Sequence, residues 1–256
     1  MKQKDIISVS FNKQGDLLQV MELDELYATS AETRFKVGAF LLHILDEANV
    51  SDAFMGPNKN KEDAERKIDQ RFDGDSRCIT DIVRGKIVID TSDQLAAIMS
   101  IFRNPDTGPL KEAGIKVELE KNNFENPKPY TGYRGLSYKI SVPTGDDGKP
   151  HVVELQIVST AMEAVYDMTH EHKRAAEDIY RNAARDYKAG TRKDPALTDE
   201  ELDMATHHYA VCEYYNAKIA HEEGYDRFLE DEERHAFTPE KEKELIAHMA
   251  IIGVEP

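Results

Sequence analysis

His151-Val152-Val153-Glu154-Leu155-Gln156-Ile157-Val158 is rich in β-branched residues and carries one formal charge, the pattern of a strand rather than a helix. Period-two alternation puts Val153, Leu155 and Ile157 on one face and Glu154, Gln156 and Val158 on the other. A carboxylate and an amide therefore emerge side by side. Upstream, Leu136 to Val142 alternates in the same way, and Gly145-Asp146-Asp147-Gly148 is a turn that folds the two runs into a hairpin. Ile115 to Lys121 reads as a further strand. Ile82 to Ile89 is another, feeding a helix over Gln94–Phe102 for which Ser92 is the expected cap.

The remaining segments read as helices. Residues 29–48 offer Ser30 as N-cap and Phe35, Ala39, Leu42 and Leu45 as the core-facing stripe, and Lys59 to Gln70 forms a highly charged helix. Ala161 to Lys188, Asp199 to Glu223 and a last helix starting at Pro239 behind Thr238 complete the chain. The expected class is α+β, a mixed sheet of about five strands flanked by helices. The expected organisation is an N-terminal helical extension over 1–56, a central domain over 57–190 and an acidic C-terminal helical extension over 191–256.

The 256 residues, 40% hydrophobic, suffice for a real core. With 33 Lys and Arg against 49 Asp and Glu, the formal charge is −16, which argues against a general nucleic-acid surface. The charge is uneven: residues 196–256 carry −11, whereas 111–140 carry +2. An anionic ligand would therefore bind in the middle of the chain. Cys78 and Cys212 are the only cysteines and form no CxxC, which leaves neither a zinc ribbon nor a disulfide framework and fits a reducing compartment. No apolar run reaches the roughly 18 residues of a membrane span, and Met1 to Asp16 lacks the apolar core of a signal peptide. The expectation is a soluble, cytoplasmic protein without a membrane partner, with a secreted effector or toxin left open.

Asp81, entering the first strand, and Glu154 are carboxylates on segments that should be mostly buried. Buried carboxylates need partners, and a divalent cation is a common one. An ordinary solvent-facing antiparallel strand accounts for Glu154 taken alone. Gly132-Tyr133-Arg134-Gly135 follows a Pro- and Asn-rich loop and leads into a strand, which suits an aromatic that stacks on a base and a guanidinium that holds phosphate or carboxylate. His170 and His172 stand two apart on one helix and do not share a face. His207, His208 and His221 read as structural or surface residues.

In their order along the chain, Asp81-Ile82-Val83-Arg84-Gly85-Lys86, then Lys121 with Asn126-Pro127-Lys128-Pro129-Tyr130-Thr131-Gly132-Tyr133-Arg134-Gly135, then Val153-Glu154-Leu155-Gln156-Ile157 with Met162 and His170, these segments resemble the RelA/SpoT-type nucleotide pyrophosphokinase domain in its small stand-alone form. The resemblance covers residues 57–182 and implies a nucleotidyltransferase-like fold. It also implies transfer of pyrophosphate from ATP to the 3′-hydroxyl of GDP or GTP, making (p)ppGpp-type alarmones with Mg²⁺. Carried over, Asp81 would hold Mg²⁺, Glu154 would be the second catalytic carboxylate, as base or metal ligand, and Tyr133 would stack on guanine. Lys59, Lys67, Arg77, Arg84 and Lys86 are the donor-side candidates, Lys121 and Arg134 serve the acceptor side or its loop, Gln156 lies beside Glu154, and His170 packs beneath the site.

The departures from the family pattern are specific. Pro57 and Asp63 replace an arginine and a serine of the upstream basic motif, Lys86 replaces an arginine, Ser137 a histidine and Val158 another arginine. Lys86 would offer a point charge where a fork is usual. The expected activity is alarmone synthesis from ATP and a guanosine nucleotide. Two alternatives stay open: the same donor chemistry on an adenosine nucleotide or the 3′ end of tRNA, which the acidic charge disfavours, and a silent nucleotide-binding module. A homo-oligomer through the terminal helices, including Met21 to Leu26, is a further expectation.

Overall fold

The computed structural model describes residues 10–11 and 17–256. The reading of Met1 to Asp16 as free of a leader falls almost wholly outside them. In chain order the elements are β1 (Ser10–Phe11), β2 (Leu17–Leu18), α1 (Leu23–Glu47), β3 (Asp52–Met55), α2 (Lys61–Arg71), β4 (Arg84–Ile89), α3 (Ser92–Arg103), α4 (Gly108–Glu112), β5 (Lys116–Asn122), β6 (Leu136–Thr144) and β7 (Lys149–Ser159). The helices α5 (Thr160–Ala164), α6 (Tyr166–Lys188), α7 (Asp199–Glu222), α8 (Glu232–His235) and α9 (Pro239–Ile251) follow. The protein is α+β, as expected, with a five-stranded mixed sheet in the order β3-β4-β7-β6-β5. Among the described residues, no helix is long and apolar enough to cross a membrane.

The chain divides into two compact units, Met1–Lys121 with Leu136–Val158, and Asn122–Gly135 with Ser159–Pro256. This differs from the three-part organisation expected along the sequence. Of the stretch expected as an N-terminal extension, Asp52–Met55 forms β3, which pairs antiparallel with β4 from Asp52↔Val88 to Met55↔Gly85 and is an edge of the sheet. Residues 191–256 share a unit with 159–190, and α7 packs against both α6 and α9.

The two faces of the sheet differ chemically in the first unit. The β6–β7 register pairs Leu136 with Ile157, Tyr138 with Leu155, Ile140 with Val153 and Val142 with His151. These residues are buried and lie under α1 and α3, where Phe102 stacks on Tyr138 at 4.0 Å and meets Phe40 edge-on at 5.9 Å. Gly85 belongs to this face, since a Cβ there would stand 3.0 Å from Leu155 Cδ1 and 3.5 Å from Leu41 Cδ1. The intervening pairs, Ser137 with Gln156 and Lys139 with Glu154, point the other way by alternation, as do Arg84 and Lys86 on β4.

Helix α1 corrects the expectation in both start and orientation. It begins at Leu23 behind Glu22, which forms a capping box with Glu25, so Ser30 is a buried interior residue and not a cap. Its buried stripe is Leu26, Thr33, Val37, Phe40, Leu41 and Ile44, while Phe35 and Leu42 are 79% and 67% exposed. The helix carries two apolar stripes, and the one that continues back to Leu26 wins the core. Smaller differences concern α3, which is capped by Thr91 and Gln94 rather than Ser92, and the expected Ala161–Lys188 helix, which breaks at Val165. Thr238 and Pro239 start α9 as expected.

In the second unit, Ala210, Val211, Tyr214, Leu245 and Met249 form the core between α7 and α9. His208 meets His172 of α6 at 2.9 Å and His207 meets His248 of α9 at 3.0 Å, both Nδ1 to Nδ1. These histidines tie helices together. Cys78 and Cys212 are both buried thiols.

His151 joins β7 to α1. Thr29 and Thr33 hydroxyls already donate to the Glu25 and Thr29 carbonyls, so their oxygens accept from His151 Nδ1–H at 3.1 and 3.0 Å. Nε2 is buried with no partner, and burial pushes the imidazole down to about 4. An unfolded His takes up its proton near pH 6.5, so the native state is fully favoured above that pH and loses stability as pH falls through about 4. Over this window the loss from His151 is expected to be about 3 kcal/mol. Urea unfolding from pH 7 to 4 should show a flatter pH dependence in His151→Leu than in the parent protein, and equal slopes would contradict this account.

Candidate active site

Three strand segments bring the site residues of the first unit together. The Glu154 amide donates to Val83 O at 3.2 Å, stitching the segment that carries Asp81 to the centre of β7. The chain after β3 runs along the same segment, with Gly56 N donating to Arg84 O and Lys59 N to Ile82 O, both at 2.9 Å. This presents Lys59 to Asp81. A brace from α1 holds that connection: Tyr27 Oη donates to Lys59 O at 2.7 Å, Asn58 Nδ2 to Ser30 Oγ at 3.0 Å, and Arg34 to Gly56 O. Asn60 then caps α2 by accepting from Glu62 N, and α2 carries Lys67 back to the same carboxylate.

Asp81 is 8% exposed. Its Oδ2 accepts from Lys59 Nζ at 3.1 Å and Lys67 Nζ at 2.9 Å, while Oδ1 is buried without a partner. Burial alone would raise this carboxyl, but the charges and hydrogen bonds of Lys67 and Lys59 outweigh it and hold it below the ordinary carboxylate range. Glu154 is treated alike: its Oε2 accepts from Lys139 and its Oε1 from Gln156 Nε2 at 2.7 Å. Burial again opposes ionisation, and Lys139 and Gln156 overcome it. The Lys139 ammonium is pushed down by burial, against the pull of Glu154 and Asp81. Asp81 and Glu154 also repel each other. Two carboxylates and three ammonium groups thus form one electrostatic unit on the polar face of the sheet.

The other candidates are dispersed. Arg84 reaches Pro57 O at 3.4 Å, and Lys86 lies over the Phe54 ring at 5.7 Å. Arg77 forks onto Asp75 at 3.0 and 2.9 Å. Lys121 is exposed at the end of β5. The second unit holds the rest. The Tyr133 ring folds over Gly135, where a Cβ would lie 2.5 Å from its hydroxyl oxygen. His170 stacks on Tyr166 at 5.1 Å. Arg134 is 1% exposed and donates to Phe124 O and Asp226 Oδ1, each at 3.2 Å.

Lys139 is the residue that the sequence reading missed. The signal was present, because the turn at Gly145–Gly148 fixes the hairpin register and the register fixes Lys139 opposite Glu154. The brace of Ser30, Arg34 and Asn58 carried no comparable signal.

The residues fit a hard divalent cation. Among the described residues, no group of three or more His, Cys, Asp or Glu side chains is arranged around a metal position. Mg²⁺ does not require one, since it is commonly bound through one or two carboxylates, waters and substrate phosphates. Asp81 Oδ1 is an oxygen with unused acceptor capacity, and Asp81 and Glu154 would supply the protein ligands.

Arg134 also has a structural consequence. Its buried charge is answered by Asp226, which His221 Nδ1 also meets at 2.8 Å. Breaking such a pair leaves an uncompensated charge, so Arg134→Ala should lower stability by about 3 kcal/mol. Urea unfolding measures it, and a loss below about 0.5 kcal/mol, typical of a surface substitution, would contradict the pairing.

No family model and no curated protein matches the chain. Solved structures do. Small alarmone synthetase 2 from Bacillus subtilis is 16% identical with a TM-score of 0.49, covering 78% of this chain and 97% of its own. A GTP pyrophosphokinase family protein from Streptococcus pneumoniae is 14% identical with a TM-score of 0.47, covering 78% and 89%. The Type VI effector Tas1, solved with its immunity protein, is 17% identical with a TM-score of 0.44, covering 74% and 95%. The similarity includes small alarmone synthetases, the group that the motif order resembles.

Proposed function

We propose that this chain transfers the pyrophosphoryl group of ATP to the 3′-hydroxyl of a guanosine nucleotide, GDP or GTP. The carrying observation is the convergence of Asp81 and Glu154 with Lys59, Lys67 and Lys139 on one sheet face. The 3′-oxygen forms a bond to the β-phosphorus, the bond from that phosphorus to the α–β bridging oxygen breaks, and AMP leaves. Mg²⁺, when bound, neutralises charge on the phosphate oxygens. Asp81 would be its first ligand. Glu154 accepts the hydroxyl proton or shares the metal. Lys59 and Lys67 hold Asp81 ionised and offer cations to the phosphates. Arg84 and Lys86, on the same face, are assigned to the donor, and Tyr133 to stacking on the acceptor base.

One observation favours a second reading, a nucleotide-binding module without turnover: Lys59, Lys67 and Lys139 are each already paired with a carboxylate. Both readings are tested by incubating the protein with Mg²⁺ and γ-labelled ATP against GDP, GTP, ADP, ATP, GMP and bulk tRNA. The expected result is AMP release with label on GDP or GTP, reduced at least about 100-fold in Asp81→Ala and in Glu154→Ala. Label on another acceptor changes the substrate and keeps the site. Calorimetric nucleotide binding without transfer selects the second reading, and full activity in either variant overturns the site.

A further inference from the structure

We infer that the imidazole pairs His172–His208 and His207–His248 form an acid-released latch that holds α7 in place, and through α7 the loop that presents Tyr133. The two pairs are built alike. Nδ1 faces Nδ1 at 2.9 and 3.0 Å, with ring centroids 5.2 Å apart in each pair and interplanar angles of 41° and 43°. The centroid separation is close to the nitrogen separation plus two ring radii, so the nitrogens point at each other. Each contact is therefore a single N–H···N hydrogen bond, in which one ring donates Nδ1–H and the other accepts on Nδ1. One added proton leaves that bond in place, because an imidazolium donates to a neutral ring. A second proton removes the acceptor and sets two cations at the same short separation.

Adjacent positions on α7 send these bonds to different helices, His208 to α6 and His207 to α9. Helix α7 in turn fixes the loop over 128–133. Asn216 Nδ2 donates to Thr131 O at 3.0 Å, and Tyr209 stacks on Tyr130 at 5.7 Å. Gly132, at φ +59°, lies so close to α7 that a Cβ there would stand 3.3 Å from the Glu213 backbone. Charging both pairs thus acts on the helix that carries the loop. The charged groups nearby compensate a second proton weakly. Burial, then the charges of His172 and His207, hold His208 below the ordinary imidazole range. Lys173, beside His172 on α6, is engaged with Glu177 at 3.6 Å. Asp203 on α7 and Glu244 on α9 stand one turn before His207 and His248, but both are exposed, where water and salt screen them. Glu244 is also shared with Lys241 at 3.8 Å. An imidazole that resists charging in the folded state favours folding above the pH at which an unfolded His charges, about 6.5, and costs stability below it.

The latch goes beyond the proposed reaction, and its test does not depend on any product forming. Amide hydrogen exchange is measured on the full chain at about pH 7.5 and about pH 4.5, corrected for the intrinsic rate at each pH and referred to α3. Protection in α7 and in residues 128–133 is expected to fall at least about tenfold on acidification. Replacing one ring of each pair by an amide, His172→Gln with His248→Gln, keeps a partner whose carbonyl accepts from a charged imidazole. That variant should match the parent at neutral pH and change less than about twofold in acid. His207→Gln with His208→Gln makes the same exchange from the α7 side and decides the outcome if the first variant does not fold. Nitrogen NMR spectra of the imidazoles should show the Nδ1–H···Nδ1 bonds at neutral pH and two charged rings per pair in acid. Parent protection that does not change with pH would overturn the inference. So would amide variants that lose as much protection as the parent, or pairs that keep a neutral ring in acid while α7 opens.

Discussion

Two carboxylates cannot stay ionised in a largely buried setting without counter-charges, and much of the first unit is arranged to supply them. Asp81 is answered by ammonium groups from the end of the β3 connection and from α2, and Glu154 by one from β6. Each lysine arrives on a different element. The backbone bonds from Glu154 to Val83 and from Lys59 to Ile82 are what make these side chains meet. Losing either would separate charges that depend on one another.

Strand β7 carries both halves of the design. On one face Val153 is buried and His151 meets α1, with the imidazole neutral and its Nδ1–H shared by two threonines. On the other face Glu154 and Gln156 are kept polar and paired. Covering one face with α1 and α3 gives the sheet its apolar core, and the opposite face is then available for charge. The cation–π contact of Lys86 with Phe54 and the reach of Arg84 to Pro57 extend the same polar face toward the sheet edge.

Period-two alternation made Glu154 and Gln156 legible, and the structure puts them side by side as that alternation requires. The hairpin was legible too, yet Lys139 went unread because its importance lies in the pairing register rather than in its own strand. Helix α1 misled for a different reason. Phe35, Ala39, Leu42 and Leu45 form a plausible stripe, but Leu26, Val37, Phe40, Leu41 and Ile44 form a longer one, and local periodicity cannot rank two stripes. The Ser30, Arg34 and Asn58 brace joins residues far apart in sequence, so no local signal carries it. Arg134 looked like a ligand group from its motif. Its burial against Phe124 and Asp226 depends on a partner 92 residues away.

The central claim is that the polar sheet face around Asp81 is where metal and donor phosphates bind. A crystal structure grown with Mn²⁺ and a non-hydrolysable ATP analogue, with the metal located by anomalous scattering, tests it most directly. The account predicts a manganese peak bonded to Asp81 and to analogue phosphate oxygens, with Lys139 still on Glu154. Manganese and nucleotide bound away from this face, with Asp81 still held by Lys59 and Lys67 alone, would contradict it.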